Sequence, residues 1–400
     1  MTQADHHSIA DNPFGEFVLY GWAGSFFASK TRSYLRKAQV PFREVTIGHP
    51  HFTSVVQPFL ERPIVPVIQT REGVIVQDSN EISDYVLAHG LGERSLIPPT
   101  PVQAMAARVL EFLFSETLAR IAFSTRWSHY HDQEAYVREV FGSTHGYGTD
   151  KDEAGRNFVA DLARDAIFAV LEGFGIEPRT LKLIEQQYRD LLDLLNAHFA
   201  VHPYLFGAGE SIADCALNGA LAPHLSRDPY PGMTMRQRAP RVLRYAERMS
   251  QRDPDFPEYV DAQAGELVAE DALPETLKPI IALMVRDGLP EIKAAVEAFD
   301  EWASTAEREP GKPILPSRAI RMVARTDFHV RSIPMRSIAQ PNTIWALGRV
   351  HKAFDALTNE EQESVRKTLA PLGVTELLDL RTRFALERRQ HAEVWAEAAG

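Results

Sequence analysis

The sequence predicts an α/β domain followed by an all-α domain and a mainly helical C-terminal extension. Three observations carry that reading. Between Phe17 and Ala88, short apolar runs alternate with helical stretches in the order βαβα and then ββα. From Leu91 to Pro101 the segment LGERSLIPPTP carries prolines at 98, 99 and 101, which forbid a regular element. Beyond that hinge the apolar spacing is helical. The expected partition is a disordered leader over 1–13, an α/β domain over 14–90, a linker over 91–101, an all-helical domain over 102–270 and a mainly helical extension over 271–400.

The first domain is read element by element. FVLYG (Phe17–Gly21) is a compact apolar strand stopped by glycine, and Phe27–Gln39 is a helix with Tyr34, Leu35 and Ala38 on one face, closed by Pro41. PFREVTI is a second strand, and His51–Leu60 a short helix. VPVIQT (Val65–Thr70) and GVIVQ (Gly73–Gln77), separated by Arg71-Glu72, form a hairpin. A helix from Ser79 to about Ala88 turns Ile82, Tyr85 and Val86 inward. That is the thioredoxin-like order. Helices are then expected over Val102–Ser128, Arg179–Val201, Ser211–Leu225, Pro240–Met249, Leu277–Asp287 and Pro290–Ser304, with a polar loop at Gly142–Arg156. In the extension, Ile320–Met335 holds an edge strand, and helices fit Thr343–Leu357, Asn359–Leu369 and Thr375–Glu397.

Composition narrows the function classes. Of the 400 residues, 54 are acidic and 43 are lysine or arginine, a formal net charge of −11. A nucleic-acid binder carries a basic footprint, so that class is disfavoured. No apolar run approaches the ~20 residues that span a bilayer, and the polar start MTQADHHSIADNPFG lacks an apolar signal core. The expectation is a cytoplasmic protein that does not enter membranes. Cys215, the single cysteine, excludes an internal disulfide, a CxxC pair and a cysteine-based zinc site. His129-x-His131 has no third ligand at a matching spacing, and no metal is expected.

Four motifs then occur in order. LYGWAGSFFASKTRSYLRKAQV (Leu19–Val40) places Ser25 between a strand and a helix, followed by Phe26-Phe27 and by Lys30 and Arg32. RPIVPVI (Arg62–Ile68) sets Val65-Pro66 before a strand. VQDSNEISDYV (Val76–Val86) opens a helix with Asp78-Ser79, and GESIADCAL (Gly209–Leu217) carries the Ser-x-x-Asp spacing of a capping box. Together, over residues 14 to about 250, they resemble the glutathione S-transferase superfamily, most nearly its serine-type classes. The resemblance implies a thioredoxin-like glutathione-binding domain, a helical C-terminal domain of that family's kind, and glutathione as co-substrate. It also implies a homodimer, a detoxification role and a small hydrophobic electrophile as second substrate. It implies nothing about residues beyond about 270.

Each motif has a physical rationale. A hydroxyl that donates to sulfur, at a helix N-terminus of positive potential, favours the thiolate over the thiol. Ser25 is therefore the expected catalytic residue, a role compatible with plain helix capping. Val65 and Pro66 are the expected backbone contacts to the peptide, with the Val65–Pro66 bond cis as the resemblance implies; a proline simply starting an edge strand is the alternative. Asp78 and Ser79 are expected to bind the γ-glutamyl group, with Ser79 as N-cap and the helix start as an anion site. Asp78 is one methylene shorter than the family's usual acid, and Ile64 stands where a basic residue is usual; His49, His51 or Arg62 are candidates for the glycyl carboxylate. Trp22, Phe26, Trp127 and Tyr130 are candidate walls of the electrophile pocket, or else core. Ser211 and Asp214 read as folding determinants and Cys215 as a buried filler. The expected activity is thiolate attack on an electrophilic carbon, as conjugation, ether cleavage or dehalogenation. The alternative is a non-catalytic scaffold with the same fold.

Overall fold

The computed structural model describes residues 11–145, 153–317 and 320–397. Residues 1–10 of the expected leader, and 146–152 of the expected Gly142–Arg156 loop, lie outside the described residues. Residues 11–13 of the expected leader are described. Asn12 Nδ2 donates to Glu16 O at 2.7 Å and Thr70 O at 3.0 Å, which ties the end of the leader to the first sheet.

That sheet has the order β2-β1-β3-β4, from β1 (Val18–Gly21), β2 (Arg43–Thr46), β3 (Val67–Gln69) and β4 (Ile75–Gln77). β1 and β2 run parallel, while β3 is antiparallel to both β1 and β4. The apolar strand residues explain the layer. Val18, Tyr20, Val67 and Ile75 are fully buried against Phe52, Val56 and Leu60, the last three from a π-helical turn at Phe52–Val56 and the short α2 (Gln57–Leu60). The helix α1 (Phe26–Lys37) buries Tyr34 and Leu35, and α3 (Ser79–Ala88) buries Ile82 and Val86. Lys30 Nζ donates to Asn80 Oδ1 at 2.6 Å and so joins α1 to α3 inside the core. This is the thioredoxin-like α/β arrangement that the strand order predicts.

From Pro101 to Ser250 the described elements are helical: α4 (Pro101–Trp127), α5 (Glu134–Gly142), α6 (Glu153–Phe168), α7 (Leu181–His198), α8 (Ile212–Ala220) with a π-helical turn to Leu225, α9 (Pro229–Arg238) and α10 (Pro240–Ser250). The capping box forms. Asp214 N donates to Ser211 Oγ at 3.4 Å and Ser211 N donates back to Asp214 Oδ2 at 2.9 Å, with Ser211 Oγ also donating to that oxygen at 2.6 Å and both residues fully buried. α5, α6 and α9 stand where the sequence pattern gave no helix.

The extension contains α11 (Lys278–Thr305), β5 (Ala324–Val330), β6 (Ile333–Ala339), α12 (Pro341–Asp355), α13 (Asn359–Leu369), α14 (Val374–Asp379), β7 (Leu386–Arg389) and β8 (Ala392–Trp395). Three expectations are corrected here. The two helices expected on either side of Pro290 are one, because Gly288 and Pro290 lie inside the continuous α11. Gly288 is fitted to a close helix approach, since a Cβ there would stand 2.5 Å from Thr117 Cγ2. The single edge strand is a hairpin, β5 with β6. The helix expected to run to Glu397 stops at Asp379, and β7–β8 follows as a second hairpin.

The chain divides into two compact units, each drawn from separate stretches. One comprises residues 1–95, 122–171 and 217–254, and the other 96–121, 172–216 and 255–400. Among the described residues, no helix is long and apolar enough to cross a membrane.

Candidate active site

Strand register brings the sequence-predicted residues to one end of the sheet. Tyr20 on β1 faces Val67 on β3, and Val67 faces Gln77 on β4. Because β3 runs against both neighbours, its start lies beside the C-terminal ends of β1 and β4. Ser25 follows β1, Val65-Pro66 precedes β3 and Asp78-Ser79 follows β4, so all five residues gather at that edge. Asp78 N donates to Pro66 O at 3.4 Å, which links two of the three segments directly. β2 ends at the same edge, and the Gly48–His51 stretch leaves from it.

Ser25 is the N-cap of α1. Its backbone is extended (φ −87°, ψ 125°) and its Oγ accepts from Ala28 N at 3.3 Å. Capping uses an oxygen lone pair and leaves the O–H able to donate. The residue is half-buried, at the mouth of a helix whose first turn carries no acid to offset the positive end. The nearby Tyr20 hydroxyl is committed elsewhere, donating to Gln69 Oε1 at 2.9 Å, and burial pushes its pKa up.

The Val65–Pro66 peptide bond is cis, as expected. One capping assignment changes. Asp78, not Ser79, is the N-cap of α3, and its carboxylate accepts from Asn80 N at 2.8 Å. Asp78 sits at φ +91°, a conformation acidic and amide residues tolerate better than most, and its short side chain reaches the helix amide from there. Ser79 is then the first helical residue and is buried. His51 Nε2 lies 3.1 Å from Gln69 Oε1, and Arg62 Nη2 donates to Gln77 Oε1 at 3.3 Å. Burial and the neighbouring His51 lower the His49 pKa.

The four aromatic candidates separate. Trp22 is half-buried and packs on Phe141 with ring centres 4.9 Å apart. Trp127 also packs on Phe141, at 5.5 Å, and stacks on Tyr130 at 5.8 Å. Phe26 is not in this cluster; it meets Phe27 at 4.9 Å and His224 at 6.3 Å. Phe26, Trp127 and Tyr130 are each less than 5% exposed, so they build the core around the loop, and only Trp22 reaches its surface.

Sequence reasoning missed the groups that surround the Trp22–Ser25 loop. Gly24 lies under Trp22, and a Cβ there would come 2.2 Å from Trp22 Cζ3 and 2.4 Å from Val140 Cγ1. Arg126 is 1% exposed and forks onto Asp228 at 2.7 and 2.8 Å, while also donating to Pro223 O at 2.8 Å. Burial works to raise the Asp228 pKa, but His224 and the Arg126 fork together hold it below the usual carboxylate value. His224 stays neutral: burial first and Arg126 second lower its pKa to about 4. Arg126 and Asp228 are 102 residues apart, and no local pattern pairs them.

Residues 19–93 match the family model described as "Glutathione S-transferase, N-terminal domain". That span is similar to a glutathione S-transferase N-terminal domain. It holds β1 from Leu19 onward, β2 to β4, α1 to α3 and every residue of the sheet edge described above. Among solved structures, the chain is similar to the β-etherase LigF from Sphingobium sp. strain SYK-6, at 16% identity over 61% of this chain and 98% of that one, with TM-score 0.42. It is similar to a glutathione S-transferase from Methylobacterium radiotolerans JCM 2831 in complex with glutathione sulfonate, at 19% identity over 65% and 100%, with TM-score 0.37. A third is the glutathione S-transferase CsGST63524 of Ceriporiopsis subvermispora in complex with glutathione, at 17% identity over 60% and 98%, with TM-score 0.34. No curated protein matches the chain.

Proposed function

We propose that the protein is a serine-type glutathione transferase, which binds glutathione at this sheet edge and directs its thiolate at an electrophilic carbon of a small hydrophobic molecule. The observation that supports it most is the convergence of Ser25, the cis Val65–Pro66 unit and the Asp78-Ser79 helix start at one edge of a domain similar to a glutathione S-transferase N-terminal domain. In this reading the Val65 backbone pairs with the peptide, and Asp78 with the α3 N-terminus meets the γ-glutamyl group. Ser25 donates to the sulfur, a bond that strengthens as the thiol becomes thiolate. Trp22, with Phe141 behind it, lines the side on which the electrophile arrives. A cytoplasmic location, a homodimer and a detoxification role accompany the proposal.

The test is Ser25→Ala. Binding rests on several contacts and the serine touches only sulfur, so kcat carries the loss while KM for glutathione moves little. A charge-assisted hydrogen bond of about 1.5–3 kcal/mol corresponds to a roughly 10- to 150-fold fall in rate. Thiolate absorbance against pH reads the matching rise in the bound thiol's pKa. Unchanged rate and pKa reduce Ser25 to a helix cap.

Ile64 and the short Asp78 favour a second reading, a glutathione S-transferase-like scaffold without catalysis. Thermal stabilisation by glutathione separates the two. At 100 times Kd it amounts to about 2.7 kcal/mol, and its absence up to millimolar glutathione favours the scaffold.

A further inference from the structure

Three consecutive carbonyls of the loop between β1 and α1 each accept from a different arginine. Trp22 O accepts from Arg32 Nη2 at 3.2 Å, Ala23 O from Arg227 Nη1 at 3.4 Å and Gly24 O from Arg126 Nη1 at 3.4 Å. The arginines come from α1, from the turn after α8 and from the end of α4. Two of them are themselves clamped. Arg32 forks onto Glu44, and Arg126 forks onto the buried Asp228. Arg227 is exposed and forms no ion pair with any carboxylate among the described residues.

A buried arginine–carboxylate pair adds little net stability, because desolvation consumes most of the attraction. What this pair does supply is a rigid donor at a fixed place. A peptide unit is planar, so fixing the oxygens of residues 22, 23 and 24 also fixes the amides of residues 23, 24 and 25. Ser25 N in turn donates to Trp22 O at 3.1 Å and closes the loop on itself. The result is a backbone held at every step up to Ser25, the residue that the proposed function aims at the sulfur.

We propose that Arg126, together with Arg32 and Arg227, is a positioning residue for thiol activation: the three arginines hold the Trp22–Ser25 loop so that Ser25 Oγ and the start of α1 stand at one fixed point. The inference rests on the reading of Ser25 given above. Preorganised donors favour the thiolate only if they need not be assembled during the reaction, and small displacements of such groups cost rate steeply.

The test uses the 400-residue chain with Arg126→Met and Asp228→Leu combined, which removes both charges and strands neither. Arg227→Ala is the surface variant that keeps the test open if the double variant fails to fold, and Arg227→Lys is its conservative rescue. One readout needs no glutathione: hydrogen exchange at the amides of Ser25, Ala28 and Ser29, which bond to Trp22 O, Ser25 Oγ and Ser25 O. Exchange about tenfold faster than in the parent is expected, at unchanged global stability. The second readout is thiolate absorbance of bound glutathione against pH. An apparent pKa raised by about one unit is expected, with kcat lowered roughly tenfold and KM for glutathione little changed. Recovery of both readouts in Arg227→Lys supports the proposal. Unchanged exchange overturns it, as does a loosened loop with an unchanged thiol pKa. If the parent protein binds no glutathione, the reading of Ser25 falls and the catalytic role of the arginines falls with it; the exchange readout still decides whether they hold the loop.

Discussion

At Gly24 the absence of a side chain has a measurable consequence. A Cβ would sit 2.2 Å from the Trp22 ring and 2.4 Å from Val140 Cγ1, so Gly24→Ala must displace both of them. Overpacking of this kind costs about 1–3 kcal/mol. A lowered Tm is expected and, on the proposed function, a loss of glutathione-dependent turnover, with partial recovery of both when Val140→Ala is added to make room. Buried histidines set the acid limit. Burial lowers the pKa of both His198 and His224 from the ordinary 6.5 to about 4, His198 lying between Thr276 Oγ1 at 2.8 Å and Tyr204 O at 3.1 Å. Below pH 6.5 the unfolded chain therefore binds more protons than the folded one. Stability is full above that value and declines as pH falls toward 4. A Tm series from pH 7.5 to 4.5 should show this decline, and His198→Gln, which cannot titrate, should flatten it; identical slopes in both proteins would remove His198 from the explanation. The residues differ in how far the sequence exposed them. Ser25, Pro66 and Asp78 were legible because each stands at a junction between a strand and a helix or turn, where few residue types fit. Arg126 and Asp228 were not, since an arginine inside a helix and an aspartate in a turn are ordinary until the fold places them together.

Among the elements, the two hairpins of the extension show where periodicity misleads. Leu386–Trp395 carries apolar and polar residues that satisfy a helical wheel, yet β7 and β8 pair Leu386 with Trp395 and Arg389 with Ala392 around Gln390 and His391. Those two residues adopt φ +48° and +65°, and Arg331 and Ser332 between β5 and β6 adopt +49° and +68°. Both are the backbone of a two-residue type I′ turn, which usually announces itself through Asn-Gly or Asp-Gly. Neither pair does so, and the hairpins were hidden for that reason. At Arg331 the side chain compensates for the strained backbone. It donates to Asp287 Oδ1 at 3.0 Å and Oδ2 at 2.5 Å and to Asp190 Oδ2 at 2.6 Å, while Asp287 is only 8% exposed. Arg331→Ala keeps the unfavourable φ and leaves Asp287 with Arg286 alone, so a loss of about 1.5–3 kcal/mol is expected. Ser332→Gly removes a left-handed strain without touching an ion pair, and its effect should be neutral or stabilising by up to about 1 kcal/mol. Chemical denaturation midpoints separate the two, and equal losses at both positions would mean that the turn, not the ion pair, sets the stability of the hairpin. The long α7 was legible throughout, because a 3.6-residue stripe over many turns admits one reading, and α4 was legible from apolar residues at helical spacing although it is buried on most sides.

For the whole molecule, the organisation of the chain predicts what truncation does. Motif matching ends near residue 250, and the apolar periodicity of 271–400 predicts an extension that packs on the helical domain. The second compact unit uses residues on both sides of that point, joining 96–121 and 172–216 to 255–400. Its interior depends on the distal part. Leu183 on α7 packs with Phe328, Val330 and Met335 of the β5–β6 hairpin, and α11 buries Ile280, Ile281, Leu283, Met284, Ile292, Val296 and Phe299. The start of α4 is held by Asp271, whose carboxylate accepts from Val102 N at 2.9 Å and Gln103 N at 3.0 Å. Each buried aliphatic or aromatic side chain contributes about 1.5–3 kcal/mol, against a total stability of only about 5–15 kcal/mol for a domain. Losing the partners of α4 and α7 together exceeds that margin. A protein ending at residue 270 is therefore expected to be insoluble or to lack a cooperative thermal transition, while the full chain melts cooperatively. Residues 1–270 purified as a soluble species with a sharp melt and undiminished helicity per residue would instead make the distal 130 residues dispensable to the fold. Stepwise truncation locates the dependence. Removing β7–β8 alone strips Trp395 from its 15° stack on Trp302, ring centres 6.0 Å apart, and should lower Tm without abolishing the transition. Removing α11 as well should abolish it, because Gly288 and its neighbours form the surface on which Thr117 of α4 rests.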